Sequence, residues 1–310
     1  MTIDLKKAFQ QKSFHALGTS IKLTIFTDIA PDVLSKTERL IETYEDQLTV
    51  NRDQSEIMAI NQAAGKGAVR VCSSSYQLVK TAVQVSHQQM GFNVAIGPLV
   101  KLWKIGFTGA NVPSKSVIKA KMPLIDPKNI VLDDDNLTVF LLKSCMELDL
   151  GAIAKGYIAD RVADLWQTLK ITSGIIDLGG NLLFIGKSPF HTDQKWRIGV
   201  QDPNQARGQA ITKVVLPACS AVTSGIYERH LDVSGQHYHH ILDSRTGYPL
   251  KTKLMSVTVF TKSSLVGEIE STRLFFAGQA INDWQKGRTD LYGAVFVYQN
   301  GRIIRVGFKQ

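Results

Sequence analysis

Two residues near the C-terminal end of the chain form the best-defined candidate cation site. Glu268 and Thr272 stand four positions apart, inside a segment (264–277) whose residue pattern predicts a helix. This spacing puts both side chains on one helix face, so a carboxylate and a hydroxyl oxygen can converge on one hard cation. A capping carboxylate beside a surface threonine is the alternative interpretation of the same pair.

A second candidate is the segment Asp149–Tyr157, a predicted strand end followed by small residues and a helix start. Small residues let a ligand approach the backbone, and the free amides and dipole at a helix start favour a phosphate. Lys155 adds a positive charge in the first turn. The GxxxxGK[ST] spacing of a Walker loop is absent, so a helix start used only for packing stays open as an alternative.

A hydroxyl pair before a glycine is the third candidate. Thr223 and Ser224 precede Gly225 and can present side-chain and backbone donors to an anion. The same tripeptide type is also common where a strand passes into a turn.

Three of the seven histidines occupy four positions: His237, His239 and His240. A strand predicted over 238–242 would put His239 and His240 on opposite faces, so that one of them can enter a site. A single histidine suits general-base catalysis, because its ordinary pKa near 6.5 allows proton transfer at neutral pH. A zinc site is the weaker alternative, since it would need ligands from elsewhere and neither CxxC nor HExxH is present.

The elements that must position these residues alternate without a regular order. Helices are predicted over 31–48, 74–90, 151–169 and 264–277, strands over 20–26, 175–185, 196–200, 213–216, 238–242 and 254–261, and hairpins over 129–149 and 294–306. Several strands are joined by tight turns and no regular βαβ repeat is visible. The sequence therefore predicts an α+β fold with mixed or antiparallel sheets packed with helices.

The composition is that of a globular protein and excludes several classes. The chain has 310 residues, 44% of them hydrophobic, and 36 Lys+Arg against 27 Asp+Glu give a net charge of +9. The basic residues come singly or in short pairs without interleaved aromatics, which argues against a nucleic-acid partner. No stretch reaches the roughly 18 apolar residues of a membrane helix, and the start of the chain lacks the apolar run of a signal peptide. We expect a cytoplasmic protein without a transmembrane segment; an extracytoplasmic, membrane-anchored protein whose export signal was removed is the alternative.

Taken in order, the motifs resemble those of the ApbE family, the FAD:protein FMN transferases. The resemblance runs over nearly the whole chain. It is carried by Leu17-Gly18-Thr19, Phe92-Asn93-Val94 with Gly97-Pro98-Leu99-Val100, Asp149 to Gly156, Asp177-Leu178-Gly179-Gly180-Asn181, Thr223-Ser224-Gly225 and His240-Ile241-Leu242-Asp243.

This resemblance implies a T-fold-like ApbE architecture in which residues 1–310 form a single domain of two intimately packed lobes, with an FAD cleft between them. It also implies a metal-dependent reaction. A Thr or Ser hydroxyl of an acceptor flavoprotein attacks FAD, FMN becomes attached through a phosphoester, and AMP is released. The acceptor is expected to carry a motif resembling Asp-x-x-Ser-Gly-Ala-Thr. An FAD pyrophosphatase that forms FMN and AMP, and a non-catalytic FAD-binding protein, are the alternatives.

The resemblance also assigns roles to individual residues. His240 matches the catalytic histidine. The cation, usually Mg²⁺ with Ca²⁺ or Mn²⁺ as alternatives, is expected at the main-chain oxygen of Ala152 and at the side chains of Glu268 and Thr272. Contacts with the substrate FAD are expected at nine positions: Leu17, Asn51, Phe92, Asn93, Val94, Asp149, Lys155, Ser224 and Ile241.

Three of these positions depart from the family pattern. Glu268 replaces the usual Asp, and its extra methylene puts the preference for Mg²⁺ over Ca²⁺ in question, because Mg²⁺ demands near-ideal octahedral distances. Asn51 stands where many members have an aromatic residue near the flavin, so weaker retention of FAD between turnovers is expected. Leu17 replaces Met as an apolar contact, which is expected to be nearly neutral.

Overall fold

The computed structural model describes residues 9–26 and 32–308. Within these residues seven α-helices occur: α1 (Asp32–Leu48), α2 (Glu56–Gln62), α3 (Ser73–His87), α4 (Gly97–Trp103), α5 (Lys115–Lys121), α6 (Ala154–Thr168) and α7 (Ser264–Ala277). Short 3₁₀ turns cover Val94–Ile96, Met122–Leu124 and Pro127–Asn129. Pro31, the expected first residue of the first helix, lies outside the described residues. No helix in the described ranges is long and apolar enough to cross a membrane.

An eight-stranded sheet forms the centre of the fold, and every neighbouring pair in it is antiparallel. Its strands, in spatial order, are β1 (Gln10–Ala16), β2 (Thr19–Ile25), β6 (Ser173–Leu178), β7 (Leu182–Gly186), β10 (Ser220–Gly225), β15 (Leu254–Thr261), β16 (Leu291–Tyr298) and β17 (Ile303–Val306). Residues from both ends of the chain therefore contribute to one sheet.

Four smaller antiparallel sheets surround it. They are β3 (Val69–Arg70) with β5 (Thr138–Leu141) and β4 (Ile130–Asp133), β8 (Trp196–Gln201) with β9 (Ala210–Leu216), β11 (His230–Val233) with β12 (Gln236–His239), and β13 (Leu242–Asp243) with β14 (Tyr248–Pro249). Helices combined with antiparallel sheets confirm the predicted α+β class.

The largest hydrophobic cluster joins the helices to one end of the central sheet. Ile21 on β2, Ile41 on α1 and Trp166 on α6 are fully buried in it. The Trp166 indole N–H donates to the Thr37 hydroxyl at 2.9 Å, which fixes α6 against α1. Helix α7 packs on β10 and β15 and lies beside α6. The α6–α7 pair, anchored on both sides, is the part of the fold that positions the candidate site.

Two of the predicted strands are interrupted in the structure. The strand predicted over 175–185 is two antiparallel strands, β6 and β7, separated by a turn in which Gly179 and Gly180 adopt φ angles of 71° and 96°. The strand predicted over 238–242 ends at His239, and β13 begins at Leu242. The alternation of faces expected from a continuous strand therefore does not reach His240.

Eight helices and strands had no counterpart in the sequence prediction: β1, β3, β10, β11, β14, α2, α4 and α5. Three of them are helices of seven residues, about two turns each, which is too short for an apolar periodicity to stand out. β1 alternates between exposed and half-buried residues rather than between apolar and polar ones, so its pairing with β2 supplies the stability that its own pattern does not indicate.

Candidate active site

The start of α7 is bound directly to α6 through one carboxylate. Asp160 on α6 accepts hydrogen bonds from the Ser263 hydroxyl at 2.7 Å, from the Ser264 N–H at 2.7 Å and from the Leu265 N–H at 2.9 Å. Burial raises the pKa of Asp160, while these donors favour its ionised form. A carboxylate at a helix N-terminus satisfies backbone donors that have no partner inside the helix. Asp160 therefore fixes where α7 begins relative to α6.

Gly156 permits the close approach of the two helices. A Cβ at this position would lie 2.5 Å from the Ser264 carbonyl oxygen and 2.6 Å from Glu268 Cγ. No side chain fits in that space without separating the helices. The glycine in the first turns of α6 thus brings the Glu268 side chain against the beginning of that helix.

The Glu268 carboxylate is buried, with only 8% of the residue exposed. Asn181 donates its side-chain N–H to Glu268 Oε1 at 2.7 Å, and the Asn181 oxygen accepts from the Ser264 hydroxyl at 2.6 Å. Burial raises the pKa of Glu268, whereas the positive charge of Lys155, the Asn181 amide and the Gly156 N–H favour the carboxylate. The group is therefore an oriented, buried carboxylate close to one cationic side chain.

Thr272 lies one helical turn after Glu268 on α7 and is half-buried. The helix predicted over 264–277 has the same bounds in the structure, so the expected i, i+4 relation of the two residues holds. A carboxylate and a hydroxyl on one helix face, together with a main-chain carbonyl, form an oxygen-only donor set. Such a set fits Mg²⁺, Ca²⁺ or Mn²⁺ rather than softer metals.

The turn before α6 contains Asp149 and Ala152. The Asp149 carboxylate accepts from the Gly151 N–H at 2.7 Å, and the Asp149 N–H donates to the Val94 carbonyl at 2.8 Å. Burial raises the pKa of Asp149, opposed by the Gly151 N–H and by the positive charge of Arg229. Ala152 is exposed in this turn, two residues before the first residue of α6.

His240 follows β12 and is held by a single carbonyl group. Its N–H and its ring Nδ1 each lie 3.2 Å from the Arg229 carbonyl oxygen. Because that oxygen can only accept, Nδ1 carries the proton and Nε2 keeps a free lone pair. Burial lowers the pKa of His240 to about 4, and the charges of Arg229 and Lys155 contribute to the same shift. The imidazole is therefore neutral at physiological pH.

The two neighbouring histidines are engaged elsewhere. His239 Nε2 lies 2.8 Å from the Leu250 carbonyl oxygen, and its Nδ1 accepts from the Ile241 N–H at 3.3 Å, so both ring nitrogens are used. His237 Nδ1 lies 2.7 Å from an oxygen of the exposed Asp232. His237 is exposed on the β11–β12 hairpin and bonds through Nδ1 alone, so His240 is distinguished by its surroundings: its free nitrogen belongs to a ring on which the charges of Arg229 and Lys155 act.

Two cationic side chains each act on more than one of the predicted site residues. The positive charge of Lys155 acts on both Glu268 and His240, and that of Arg229 acts on both Asp149 and His240. In the described part of the chain neither Lys155 nor Arg229 forms a salt bridge. These five residues come from the turn before α6, the first turn of α6, the loop before β11, the segment after β12 and α7. They form one electrostatic environment with two cationic groups available to an anion.

Ser224 is connected to the same helix through hydroxyl groups. Its Oγ donates to the Ser271 hydroxyl at 3.0 Å, and Ser271 donates to the Glu268 carbonyl at 3.2 Å. Thr223, which has the opposite orientation on β10, shares a 2.8 Å hydrogen bond with Thr258 on β15. The predicted anion-binding hydroxyl of Ser224 thus belongs to the surroundings of α7.

Phe92, Asn93 and Val94 are largely occupied in forming the local fold. Phe92 is buried in the main cluster with 6% exposure. The Asn93 side chain accepts from the Ala95 N–H at 2.9 Å and donates to the Ile125 carbonyl at 2.8 Å. Val94 is fully buried, and its N–H and carbonyl bond to Ser86 and Asp149. The segment therefore positions Asp149.

The remaining predicted contacts lie in turns and loops. Leu17 is half-buried at the β1–β2 turn with a φ of 54°. Next to this turn, a Cβ at Gly179 would lie 2.1 Å from the Thr19 hydroxyl oxygen, so the motifs around Leu17 and Gly179 meet. Asn51 is exposed after α1, and Ile241 is half-buried, with its carbonyl accepting from the Leu250 N–H at 2.9 Å.

Sequence reasoning missed four residues that organise the site. Asn181 and Gly156 stand inside motifs that the sequence analysis singled out, although no role was assigned to them. Asp160 and Arg229 carry no motif at all, because their importance comes from contacts with residues 103 and 11 positions away.

Comparison with known proteins agrees with this arrangement. The family model described as "ApbE family" matches residues 17–295. A Klebsiella pneumoniae (strain 342) protein named FAD:protein FMN transferase is 42% identical over 289 residues, covering 93% of this chain and 89% of that protein. A Treponema pallidum (strain Nichols) protein of the same name is 36% identical over 251 residues, covering 77% of this chain and 69% of that protein. The crystal structure of the ApbE protein from Thermotoga maritima matches with a TM-score of 0.85 at 29% identity, covering 96% of this chain and 97% of that one. The chain belongs to the ApbE family.

Proposed function

We propose that this protein transfers FMN from FAD to a Thr or Ser hydroxyl of an acceptor flavoprotein and releases AMP. Family membership and the names of its relatives support the reaction. The observation that carries the proposal is the packing of Glu268 against the first turn of α6, 2.6 Å from where a Cβ of Gly156 would lie. This packing puts the carboxylate under the charge of Lys155, which also acts on His240. A diphosphate bound at this lysine would meet a base and a cation ligand in one place.

His240 is the proposed general base. The hydroxyl oxygen of the acceptor attacks the FMN phosphorus, the P–O bond to the AMP phosphate breaks, and the hydroxyl proton passes to His240 Nε2. The Arg229 carbonyl supports this role because it holds the proton on Nδ1 and leaves the lone pair on Nε2. The dianionic diphosphate would also raise the pKa of His240 from about 4, which makes it a stronger base when FAD is bound.

A divalent cation, Mg²⁺ in our proposal, would be held by the carbonyl of Ala152 and the side chains of Glu268 and Thr272. The buried Glu268 carboxyl supports this assignment, because burial at 8% exposure raises its pKa and a bound cation would favour the ionised form. When bound, the cation would neutralise the diphosphate and the charge that develops on the departing AMP. Asn181 would keep the carboxylate oriented through its 2.7 Å hydrogen bond.

We assign FAD contacts to Lys155 and Asp149 at the diphosphate end, to Ser224 beside α7, and to Leu17, Asn51 and Ile241 in turns and loops. Val94, held in the local fold together with Phe92 and Asn93, would keep Asp149 in place, because its carbonyl accepts from the Asp149 N–H at 2.8 Å. The acceptor protein is proposed to carry a motif resembling Asp-x-x-Ser-Gly-Ala-Thr.

We further infer that residues 1–310 function as a single domain of two packed lobes. Direct contacts between distant parts of the chain support this. Strand β2 pairs with β6, and the Trp103 indole N–H donates to the Gly247 carbonyl at 2.9 Å across 144 positions.

The test is a mass measurement on a defined acceptor. The protein is mixed with FAD, Mg²⁺ and a domain that carries the acceptor motif, and the acceptor is expected to gain the mass of FMN minus water while AMP appears in equal amount. His240→Ala is expected to abolish the gain and to leave FAD binding largely intact, whereas the exposed His15→Ala should behave as wild type.

Two other results would replace the proposal. FMN and AMP forming at equal rates with and without acceptor would identify a pyrophosphatase, in which water takes the place of the hydroxyl. FAD that remains bound without any AMP release, in the presence of a competent acceptor, would identify a binding protein.

A further inference from the structure

Three side chains on the β11–β12 hairpin place potential metal ligands close together. His230, Asp232 and His237 each offer one ligand atom, and these atoms all lie within 4.8 Å of one another. In the described part of the chain no other three His, Cys, Asp or Glu residues come so close. All three residues are exposed, and none of them belongs to the oxygen-donor set proposed above.

The hairpin register explains why the three side chains meet. Asp232 is paired directly with His237 across the two strands, and His230 stands two residues before Asp232 on the same strand. Side chains two apart on a strand, and those directly opposite across an antiparallel pair, share one face of the hairpin. The backbone pairing therefore holds the three groups on one surface.

The measured distances approach those of a coordination sphere. Asp232 Oδ1 lies 2.7 Å from His237 Nδ1, and Asp232 Oδ2 lies 3.5 Å from His230 Nε2. Ligands about 2.1 Å from a metal are separated by about 3.0 Å in octahedral and about 3.4 Å in tetrahedral geometry. The two imidazole rings are close and tilted, with centroids 4.7 Å apart and an angle of 31° between their planes. The third pair of ligand atoms, on His230 and His237, lies within 4.8 Å, so side-chain rotation would be needed to direct all three atoms at one ion.

We propose that His230, Asp232 and His237 form a second metal site, which takes a divalent transition-metal ion such as Zn²⁺. Two imidazoles and one carboxylate select Zn²⁺, Co²⁺, Ni²⁺ or Cu²⁺ over Mg²⁺ and Ca²⁺, which prefer oxygen ligands. Exposure leaves the other coordination positions open to water. The site does not depend on the proposed transfer reaction.

The hairpin is also joined to His240. The Arg229 carbonyl that bonds His240 immediately precedes β11, and His240 immediately follows β12. An ion that ties the two strands together would therefore stiffen the segment that carries His240.

A Co²⁺ titration of the full-length protein tests the site. Mg²⁺ is kept in large excess so that the Glu268 and Thr272 oxygens are not available to Co²⁺, and binding is followed by the visible d–d absorption and by calorimetry. We expect one saturable Co²⁺ site per chain, from which Zn²⁺ displaces the cobalt. His237→Ala and Asp232→Asn should each raise the Kd at least about tenfold, which corresponds to the loss of one ligand.

Two controls locate the ion. His191→Ala, which removes an exposed histidine elsewhere, and Glu268→Gln, which alters the oxygen site, should both bind Co²⁺ as tightly as wild type. The proposal is overturned if no saturable binding occurs up to about 1 mM Co²⁺, if His237→Ala binds as wild type does, or if Glu268→Gln is the variant that loses the site. Far-ultraviolet circular dichroism of each variant verifies that the exposed substitutions leave the fold intact.

Discussion

His240→Gln is expected to make the stability of the protein less sensitive to acid. The pKa of His240 is about 4 in the folded protein, because burial and the nearby charges of Arg229 and Lys155 disfavour the imidazolium. In the unfolded chain the pKa returns to about 6.5. Between these two values the unfolded state binds a proton that the folded state does not, so the free energy of unfolding falls as the pH falls from about 6.5 towards about 4.

The size of the effect follows from the two pKa values. Their difference of about 2.5 corresponds to a change of about 3.4 kcal/mol in the free energy of unfolding at full extent, at about 1.36 kcal/mol per pKa unit. Between pH 7 and pH 5 the part contributed by His240 is about 2 kcal/mol. Glutamine has a similar size and does not titrate. The variant should therefore lack the contribution of His240 to the pH dependence of the free energy of unfolding, while the contributions of all other groups remain.

Urea denaturation of wild type and variant at pH 7 and pH 5 measures the difference. From pH 7 to pH 5, the free energy of unfolding of His240→Gln should fall by about 2 kcal/mol less than that of wild type. The exposed His15→Gln is the matched control and should follow wild type. An NMR titration of the His240 ring proton gives the pKa directly. Equal pH dependence of His240→Gln and wild type would show that His240 is protonated as readily in the folded as in the unfolded protein, which would refute the electrostatic picture of the site.

Four further predictions test the surrounding residues. Gly156→Ala should lower the free energy of unfolding by about 1–3 kcal/mol, because its Cβ would lie 2.5 Å from a carbonyl oxygen of α7; urea denaturation measures the change, and Gly67→Ala, with nothing within 4 Å of an added Cβ, is the control. Glu268→Gln should abolish the Mg²⁺ dependence of transfer, and a Mg²⁺ titration like that of wild type would place the cation elsewhere. Glu270→Leu should lower the free energy of unfolding by about 1–3 kcal/mol, because the buried indole N–H of Trp284 loses its acceptor at 2.7 Å. The same denaturation assay measures the change, and an unchanged midpoint would contradict this prediction. FAD should bind more tightly at pH 5 than at pH 7, since its diphosphate raises the pKa of His240; calorimetry should find no such difference in His240→Gln.

The sequence could predict those parts of the site that depend on spacing within one element. Helix α7 has the predicted bounds because Ser263 caps its start and Gly278 ends it with a φ of 71°. Glu268 and Thr272 therefore hold the expected relation. The helix start after Asp149 was also predicted, because small residues followed by an apolar periodicity are visible locally.

Contacts between distant segments could not be predicted in the same way. Asn181 reaches Glu268 across 87 positions, and Asp160 reaches the start of α7 across more than 100.

The break of the predicted strand at Gly179 and Gly180 did leave a signal, since two adjacent glycines favour a turn. The end of β12 at His239 left none, because His239 bonds to Ile241 and Leu250 in the folded structure and so interrupts the ladder.

Lys155 links the binding of substrate to the charge state of the reacting groups. Its positive charge opposes protonation of His240 and favours the ionised form of Glu268 against burial. Both effects suit an empty site that must keep a base unprotonated and a cation ligand charged. A diphosphate bound to the same lysine would cancel much of that charge, so His240 would gain basicity when the FAD phosphorus is in place. The anion that the site binds would therefore also prepare the base, because a single cationic side chain serves both residues.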